Sequence, residues 1–199
     1  MKNAWATLSP SIKNIINEAG FGTFFETLLN QETHEYKDLQ LLLALAECFL
    51  DTTYTFHFLG IGEVILTPYD FSVIAGLRLG GERILVNDSL TSTKLKKLIS
   101  VVSSRMRSNN IPLSWLCESI PHCEIVAKGA RIFILLFIGT FLCSDLGSTM
   151  NLCYLGNLRK IEQIQNYGWG GMAYATLMHF MTQLSRWTLS SLGGAPFVW

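Results

Sequence analysis

The chain has 199 residues, of which 49% are hydrophobic and 15% are charged, and its fifteen Lys and Arg residues balance fifteen Asp and Glu residues. A single domain of this length buries about 70% of its unfolded surface, so its core needs no disulfides. The neutral charge gives no overall attraction to nucleic acid or to an anionic membrane. The longest uncharged apolar run, residues 132–144, is shorter than a membrane span of about 20 residues. The low charged fraction instead predicts apolar surface that is covered by a partner or by chain missing from this sequence.

Three helices are predicted in the first quarter of the chain. Ser9 is a candidate N-cap and Pro10 suits the first helical position, so the first helix starts there and ends at Gly20. Residues 22–30 carry a second, short apolar face. Residues 39–50 are apolar on nearly every side, which is typical of a helix buried against more than one neighbour.

Residues 53–67 are predicted to form a β-hairpin. Aromatic residues alternate with polar ones in its first half, as in a strand with one buried face: Tyr54, Phe56 and Phe58. Two glycines in the sequence Leu59-Gly60-Ile61-Gly62 allow a turn, and the chain returns as a second strand from Glu63.

A short helix is predicted directly after the hairpin. Thr67 is a candidate N-cap, Pro68 is preset for the first turn, and Asp70 completes a capping box. The residues expected to face the core are Phe71, Ile74 and Ala75. Gly76 or Gly80 is expected to end this helix.

An amphipathic, basic helix is predicted over residues 93–107, after a candidate third strand at residues 83–86. Its polar face carries cations and no acid: Lys94, Lys96, Lys97, Arg105 and Arg107. Clustered Lys and Arg side chains are what phosphate contact requires, although such a run is more often a solvated face.

The rest of the chain is predicted to be helical. A short helix is expected at residues 113–120, and residues 124–143 are apolar enough to form the central core helix. Two further helices are predicted at residues 155–166 and 169–187. The inward positions of the last helix are Ala173, Leu177, Phe180, Leu184 and Trp187.

An ordered set of short motifs runs from about residue 20 to residue 199. Its positions in the first half are Tyr54, Phe56, His57, Glu63, Thr67, Asp70, Gly76 and Leu77. Its positions in the second half are Arg131, Tyr167, Trp169 and Gly170. This set resembles the plant mobile domain family, also called aminotransferase-like plant mobile domain proteins. All twelve positions are interpreted as chiefly structural.

The resemblance implies a biological setting more than a reaction. The family occurs in plant transposable elements and in host proteins that act in the nucleus in meristem maintenance, genome integrity and transposon silencing. Some members carry or associate with a serine/threonine phosphatase-like domain. The chain departs from the family pattern at Cys48–Asp51, where members have Trp-Arg-Pro, and members continue beyond Leu192-Gly193-Gly194 with an aromatic-rich helix. The second departure predicts a copy that is either truncated at its C-terminal end or decayed.

No catalytic, cofactor-binding or metal-binding residue is assigned. The aminotransferase label suggests pyridoxal phosphate, but Lys128, the lysine beside a predicted core helix, is interpreted as a solvated flank. His57 and Glu63 are either an acid/base pair or, in the preferred interpretation, an exposed polar pair across the hairpin. The five cysteines contain no CxxC pair, which favours reduced thiols over disulfides or a zinc site.

The sequence therefore predicts a mainly α (α+β) fold, with a single helical domain over residues 1–199 and one small antiparallel hairpin. The predicted function is a non-catalytic nuclear interaction module of transposable-element origin. It is expected to be soluble and intracellular, to use no cofactor, and to bind a protein partner such as a serine/threonine phosphatase-like protein. The alternative is a DNA-binding or DNA-processing protein that uses the basic helix 94–107, and a small enzyme is a weaker third hypothesis.

Overall fold

The computed structural model describes residues 2–30, 39–86, 97–100, 109–143 and 148–188. Among these residues, the α-helices of five or more residues are α1 (Lys2–Ala6), α2 (Pro10–Ile16), α3 (Gly22–Asn30), α4 (Leu39–Glu47), α5 (Pro68–Ala75), α6 (Leu113–Ser119), α7 (Val126–Phe137) and α8 (Trp169–Ser185). The strands are β1 (Phe49–Leu50), β2 (Thr55–Phe58), β3 (Gly62–Val64), β4 (Asn110–Pro112) and β5 (Thr149–Asn151). The prediction of a mainly α fold with a small antiparallel sheet is confirmed.

The N-terminal helices follow the predicted capping signals. Ser9 accepts a hydrogen bond at its side chain from the backbone N–H of Ile12 (3.4 Å), and Pro10 begins α2. A π-helical turn, Asn17–Phe21, follows α2 and contains Gly20 at φ 89°. Because this left-handed conformation suits glycine, the chain changes direction there and starts α3. Helix α1 was not predicted.

A cluster of phenylalanine rings joins α3 to the central helix α7. The ring centroids of Phe24 and Phe137 lie 4.9 Å apart, and those of Phe25 and Phe133 lie 5.1 Å apart. Each fully buried Phe contributes about 1.5–3 kcal/mol of burial free energy, so this contact is a main source of stability. The predicted central position of residues 124–143 is confirmed, with α7 continuing into the π-helical turn Ile138–Leu142. Among the described helices, none has both the length and the apolar character that a membrane crossing requires.

The predicted hairpin is part of a three-stranded antiparallel sheet. Strand β2 lies between β1 and β3, with Phe56 opposite Phe49 on one side and Val64 on the other. The predicted helix over residues 39–50 therefore ends too late, since α4 stops at Glu47 and Phe49–Leu50 pairs with β2. The physical reason is the cross-strand contact of the Phe49 and Phe56 rings, whose centroids are 5.1 Å apart.

Helix α5 starts at the predicted cap and ends at Gly76, which has left-handed φ 62°. Its buried side chains are Phe71 and Ala75. The expectation that Ile74 faces the core is wrong, because its side chain is 52% exposed. Positions 71 and 75 are one helical turn apart and form a narrow buried stripe, and Ile74 lies beside that stripe.

A second small sheet, formed by β4 and β5, was not predicted from the sequence. Strands β4 and β5 pair in antiparallel fashion, with Ile111 opposite Met150. Both side chains are buried. Strands of three residues carry too little alternation to be recognised. The neighbouring prediction of a short helix at residues 113–120 is confirmed by α6.

Three predictions in the second half of the chain are corrected. Residues 155–166 form no single helix, because the 3₁₀ segments Leu152–Gly156 and Ile161–Asn166 are separated by a turn. Residues 83–86 form no strand, and Leu85 instead pairs with the side chain of Asn157. Trp187 lies beyond the end of α8 and is 73% exposed, although Ala173, Leu177 and Leu184 are buried as expected.

Most of the predicted basic helix lies outside the described residues. Residues 97–99 are helical, with Lys97 exposed and Ile99 buried, which agrees with the predicted polar and apolar faces. The other four cations are outside the described ranges: Lys94, Lys96, Arg105 and Arg107.

Candidate functional site

The two halves of the motif set meet in one place, where residues 77–85 pack against residues 157–171. We call this contact the motif junction. Three backbone hydrogen bonds join its two segments: Gly170 N–H to Arg78 O (3.0 Å), Gly168 N–H to Glu82 O (3.0 Å) and Glu82 N–H to Asn166 O (2.6 Å). Backbone hydrogen bonds therefore join residues that are separated by more than 80 positions in the sequence.

Two glycines allow the backbones to approach this closely. A Cβ atom on Gly170 would lie 2.6 Å from the carbonyl oxygen of Arg78. A Cβ atom on Gly81 would lie 2.4 Å from the carbonyl oxygen of Asn166, and Gly81 also has φ 148°. The motif position Gly170 is thus a steric requirement of the junction. Gly81 is an equally strict requirement that the motif set did not contain.

The aromatic motif residues fix the junction to the core. Trp169 is buried and donates a hydrogen bond from Nε1 to the carbonyl oxygen of Ile164 (2.9 Å). Its ring lies 5.9 Å from that of Phe21 and 6.0 Å from that of Tyr167, measured between centroids. Leu77 is also buried. These contacts assign packing roles to three motif positions.

Two polar side chains complete the junction. The amide of buried Asn157 donates to the carbonyl of Leu85 (3.0 Å) and accepts from its N–H (3.1 Å). Arg131 donates from Nε to the carbonyl of Leu158 and from Nη2 to that of Arg159, at 2.9 Å each. Burial lowers the pKa of the Arg131 guanidinium, and the charge of Glu162 partly opposes that change. Arg131 therefore holds the turn between the two 3₁₀ segments.

The motif residues of the hairpin divide between its two faces. Phe56 is buried, whereas His57 and Glu63 are exposed and lie opposite each other in the register. Within the described part of the chain, no hydrogen bond joins these two side chains; Glu63 instead accepts one from the hydroxyl of Thr55 (3.3 Å). His57 and Glu63 therefore occupy opposite, exposed positions across the hairpin.

The predicted capping box is present at the start of α5. The Thr67 hydroxyl accepts from the backbone N–H of Asp70 (3.1 Å), and the Asp70 carboxylate accepts from the Thr67 hydroxyl (2.6 Å) and backbone N–H (3.1 Å). These hydrogen bonds stabilise the charged carboxylate and lower the pKa of Asp70. Both motif residues therefore act locally on the helix.

A group of exposed apolar side chains lies between these motif residues in the sequence. We call it the apolar surface, and it consists of Leu59, Ile61, Val64, Ile65, Tyr69, Val73 and Ile74. Leu59 at the hairpin turn is 98% exposed, and Val73 on α5 is 65% exposed. Monomeric proteins rarely leave many large apolar residues exposed within one short segment unless a partner binds there. The surplus of apolar residues in the composition was the signal for this surface, but it did not give its place.

A groove lies between the hairpin and α8. It has a volume of about 510 Å³ and is lined by Tyr54, Ile65, Tyr174, Met178, His179 and Thr182, among others. Tyr174 closes one wall by donating from its hydroxyl to the carbonyl of Leu66 (2.9 Å), and burial raises its pKa. We call this the Tyr54 groove. This groove was not predicted from the sequence, because its two sides are more than 100 residues apart.

A second concavity, of about 330 Å³, lies beside the start of α7. It is lined by Trp115, Glu118, Ser119, His122 and Lys128. This is where the structure places Lys128, which is half-buried there. Burial raises the pKa of the neighbouring Cys123 thiol, with the charge of Lys128 opposing that change. The described residues contain no group of three or more His, Cys, Asp or Glu side chains arranged to hold a metal ion.

Comparison with known proteins places the chain in a family. The model of the family described as "Domain of unknown function (DUF8566)" matches residues 1–198. The chain belongs to this family. No solved structure matches the chain at a significant level.

Two curated proteins from Arabidopsis thaliana are distantly similar to this DUF8566 chain. "Protein MAINTENANCE OF MERISTEMS" is 26% identical over 197 residues, which cover 90% of the chain and 39% of that protein. "Serine/threonine-protein phosphatase 7 long form homolog" is 26% identical over 169 residues, which cover 79% of the chain and 12% of that protein. The chain thus spans well under half the length of either relative. The finding supports a distant relationship to a plant-type family, while the matching family model carries a different name from plant mobile domain.

Proposed function

We propose that this DUF8566 domain is a non-catalytic interaction module, and that the apolar surface is where a protein partner docks. The observation that carries the proposal is the exposure of seven large apolar side chains on the hairpin and α5. Val73 and Tyr69 lie one helical turn apart and present one continuous edge of α5. Exposed apolar patches that are larger than those of an ordinary monomer often mark protein-binding sites.

The proposed setting is the plant nucleus, in meristem maintenance, genome integrity or the silencing of transposable elements, from which the domain itself derives. Support comes from the distant similarity to a protein named for the maintenance of meristems. The distant similarity to a protein named as a serine/threonine-protein phosphatase homolog makes a phosphatase-like protein the first partner to test. The proposal includes membership of the plant mobile domain family, on the ordered motifs of the sequence.

The test is affinity capture from plant nuclear extract with the tagged chain and a matched pair of variants. Val73→Lys places a charge on the apolar surface, and Ile125→Lys places one on a residue of nearly equal exposure elsewhere (65% and 64%). Because a charge in an apolar interface must be desolvated, we expect Val73→Lys to reduce the captured partner by about tenfold or more. Ile125→Lys is expected to leave capture unchanged, and both variants should unfold at the wild-type temperature. Equal capture by the two variants would show that the apolar surface is not the docking site.

A further inference from the structure

Strand β3 lies at the edge of the three-stranded sheet, and no described strand pairs with its outer side. The sheet has the order β1-β2-β3, so β3 pairs with β2 alone. The residues on and just after β3 are accessible: Glu63 is exposed, Val64 is 45% exposed and Ile65 is 47% exposed. An edge strand presents unpaired backbone N–H and C=O groups, which are a template for another strand.

The hydrogen bonds of β2 show which way its backbone groups point. His57 donates its backbone N–H to the carbonyl of Cys48, just before β1, at 2.8 Å. Successive residues of a strand direct their backbone groups to opposite sides, because hydrogen-bonded and non-hydrogen-bonded pairs alternate along an antiparallel ladder. The backbone groups of Phe56 and Phe58 therefore point toward β3.

The same alternation fixes the outer edge of β3. Val64 and Gly62 lie opposite Phe56 and Phe58, so their backbone groups point toward β2. Glu63 lies between them, and its N–H and C=O consequently point away from the sheet. One donor and one acceptor on a single residue are what an antiparallel strand engages at a hydrogen-bonded position.

The sequence around β3 favours strand addition and requires side-chain contacts as well. Many edge strands are protected by Lys or Pro, and residues 61–66 contain neither. Ile61, Val64 and Ile65 have the β-branched side chains that are typical of paired strands, and all three belong to the apolar surface. Because β3 has only three residues, an added strand must obtain much of its affinity from these side chains.

The Glu63 side chain opposes a second copy of this chain as the added strand. Antiparallel pairing of two β3 strands centred on Glu63 places two carboxylates directly opposite each other, which is destabilising. Pairing centred on Val64 instead sets each Glu63 carboxylate against the apolar side chain of Ile65. A strand of different sequence avoids both arrangements.

The charge of Glu63 is available to such a strand. Its carboxylate is exposed and accepts a hydrogen bond from the neutral hydroxyl of Thr55 (3.3 Å), on the face of the hairpin that also carries His57. Among the described residues, no Lys or Arg forms an ion pair with Glu63. A Lys or Arg directly opposite Glu63 would supply the favourable cross-strand pair.

We propose that β3 binds an extended segment of a partner protein, which adds to the sheet as an antiparallel strand. The segment exchanges two backbone hydrogen bonds with Glu63 and carries a Lys or Arg opposite its carboxylate. Apolar residues before that cation lie beside Val64 and Ile65. In strand addition generally, the backbone gives affinity and the side chains give specificity. The inference rests on the proposed function, because β3 lies within the apolar surface, and it names the form of the docking segment.

The first test is fluorescence anisotropy with three labelled synthetic peptides. The parent is Ser-Ile-Val-Lys-Val-Thr-Ser, the second has a methyl group on the backbone nitrogen of its Lys, and the third has Glu in place of Lys. Methylation removes the hydrogen bond to the Glu63 carbonyl and keeps the Lys charge. We expect the parent to bind about tenfold more tightly than the methylated peptide and about threefold more tightly than the Glu peptide. Failure of the parent to bind, or equal binding of parent and methylated peptides, would overturn the proposal.

The second test is hydrogen exchange at the Glu63 amide, followed by NMR. This amide faces outward in the free chain, so saturating parent peptide should slow its exchange by about tenfold or more. A bound peptide that leaves the Glu63 amide unchanged would contradict strand addition. Slow exchange without peptide, together with a dimer in sedimentation velocity, would identify a second copy as the occupant and would also contradict the proposal.

A matched pair of variants separates the backbone of Glu63 from its side chain. Glu63→Gln keeps the N–H and removes the charge, so parent binding should weaken by about threefold. Glu63→Pro also removes the outward N–H, which the ladder with β2 does not use, and should weaken binding by about tenfold or more. The unfolding temperature of each variant is measured first. If Glu63→Pro does not fold, the methylated peptide still decides the question with the wild-type chain. Equal affinity in the two variants would count against a backbone contact at Glu63.

The result is separable from the test of the proposed function. If the parent peptide does not bind but capture from nuclear extract still depends on Val73, this inference fails and the interaction module stands. If the peptide binds and protects the Glu63 amide but capture is the same for Val73→Lys and Ile125→Lys, the edge of β3 is supported and the wider apolar surface is not.

Discussion

The motif junction and the apolar surface use motif residues in opposite ways. At the junction, Gly170 and Trp169 are enclosed by other parts of the chain and are needed for two segments to meet. At the apolar surface, Thr67 and Asp70 form a cap in contact with solvent, and the neighbouring large side chains are exposed. The motif residues therefore stabilise the structure at both places, whereas the exposed apolar side chains lie between the motif positions.

Burial and internal hydrogen bonding distinguish the structural residues of this chain from its candidate binding residues. Junction residues form their hydrogen bonds within the chain, as Asn157 does with Leu85. Their role in the fold accounts for their presence without a binding partner. The side chains of Leu59 and Val73 contribute little to the free energy of folding, because they remain largely exposed to water. We infer that the functional information lies in the surface, and that substitutions should reveal the division by their effect on the free energy of unfolding.

The largest loss of unfolding free energy is expected for Gly81→Ala. A Cβ atom at this position would meet the carbonyl oxygen of Asn166 at 2.4 Å, and φ is 148°, so both the contact and the backbone conformation oppose a side chain. We expect a loss of about 3 kcal/mol or more in unfolding free energy, measured by urea denaturation.

The adjacent glycine provides the control for that prediction. Gly80 is exposed, its φ lies outside the left-handed range, and a Cβ atom there meets nothing within 4 Å. Gly80→Ala should therefore change the unfolding free energy by no more than about 0.5 kcal/mol. Similar losses for the two variants would mean that the junction is looser than its backbone contacts indicate.

The hairpin and α5 could be predicted from sequence because their signals are local. Thr67, Pro68 and Asp70 lie within one helical turn, and the alternation around Phe56 needs only its immediate neighbours. Local hydrogen bonds and side-chain periodicity fix such elements without knowledge of the rest of the fold. The central helix α7 was equally clear, since a run that is apolar on every side has to be buried.

The junction and the groove could not be predicted because their contacts are distant in sequence. Nothing in residues 81–86 indicates that they extend along residues 157–168, so a strand was assigned where Asn157 binds Leu85 instead. Exposure was misjudged for a related reason. Ile74 and Trp187 have the helical spacing of core residues, but in the described part of the chain their side chains are 52% and 73% exposed. The spacing of apolar residues predicts which face of a helix is apolar, whereas the burial of that face depends on which other elements pack against it.

A smaller loss is expected for Trp169→Phe. The change removes the Nε1 hydrogen bond to Ile164 and part of a buried ring that lies 5.9 Å from Phe21. We expect a loss of about 2 kcal/mol in unfolding free energy, from the lost hydrogen bond and the small cavity together. Trp115→Phe is the matched control, because Trp115 is only half-buried and lines the polar concavity. A loss for Trp169→Phe no larger than the control's would show that Trp169 does not anchor the junction.

The smallest of the three losses is expected for Thr67→Ala, in the helix that carries the apolar surface. Removing the N-cap hydroxyl should cost about 1 kcal/mol of unfolding free energy at neutral pH.

Hydrogen bonds from Thr67 lower the pKa of Asp70 in the folded state, below its ordinary value of 3.8. The stability that they give is thus present above the unfolded pKa and is lost as pH falls through the folded one. The difference between wild type and Thr67→Ala should therefore shrink at about pH 3, compared by urea denaturation with neutral pH, and Asp70→Asn should lack this acid dependence. If Thr67→Ala instead cost as much as Gly81→Ala, the hairpin and α5 would carry stability that we assign to the junction, and the separation of the two regions would fail.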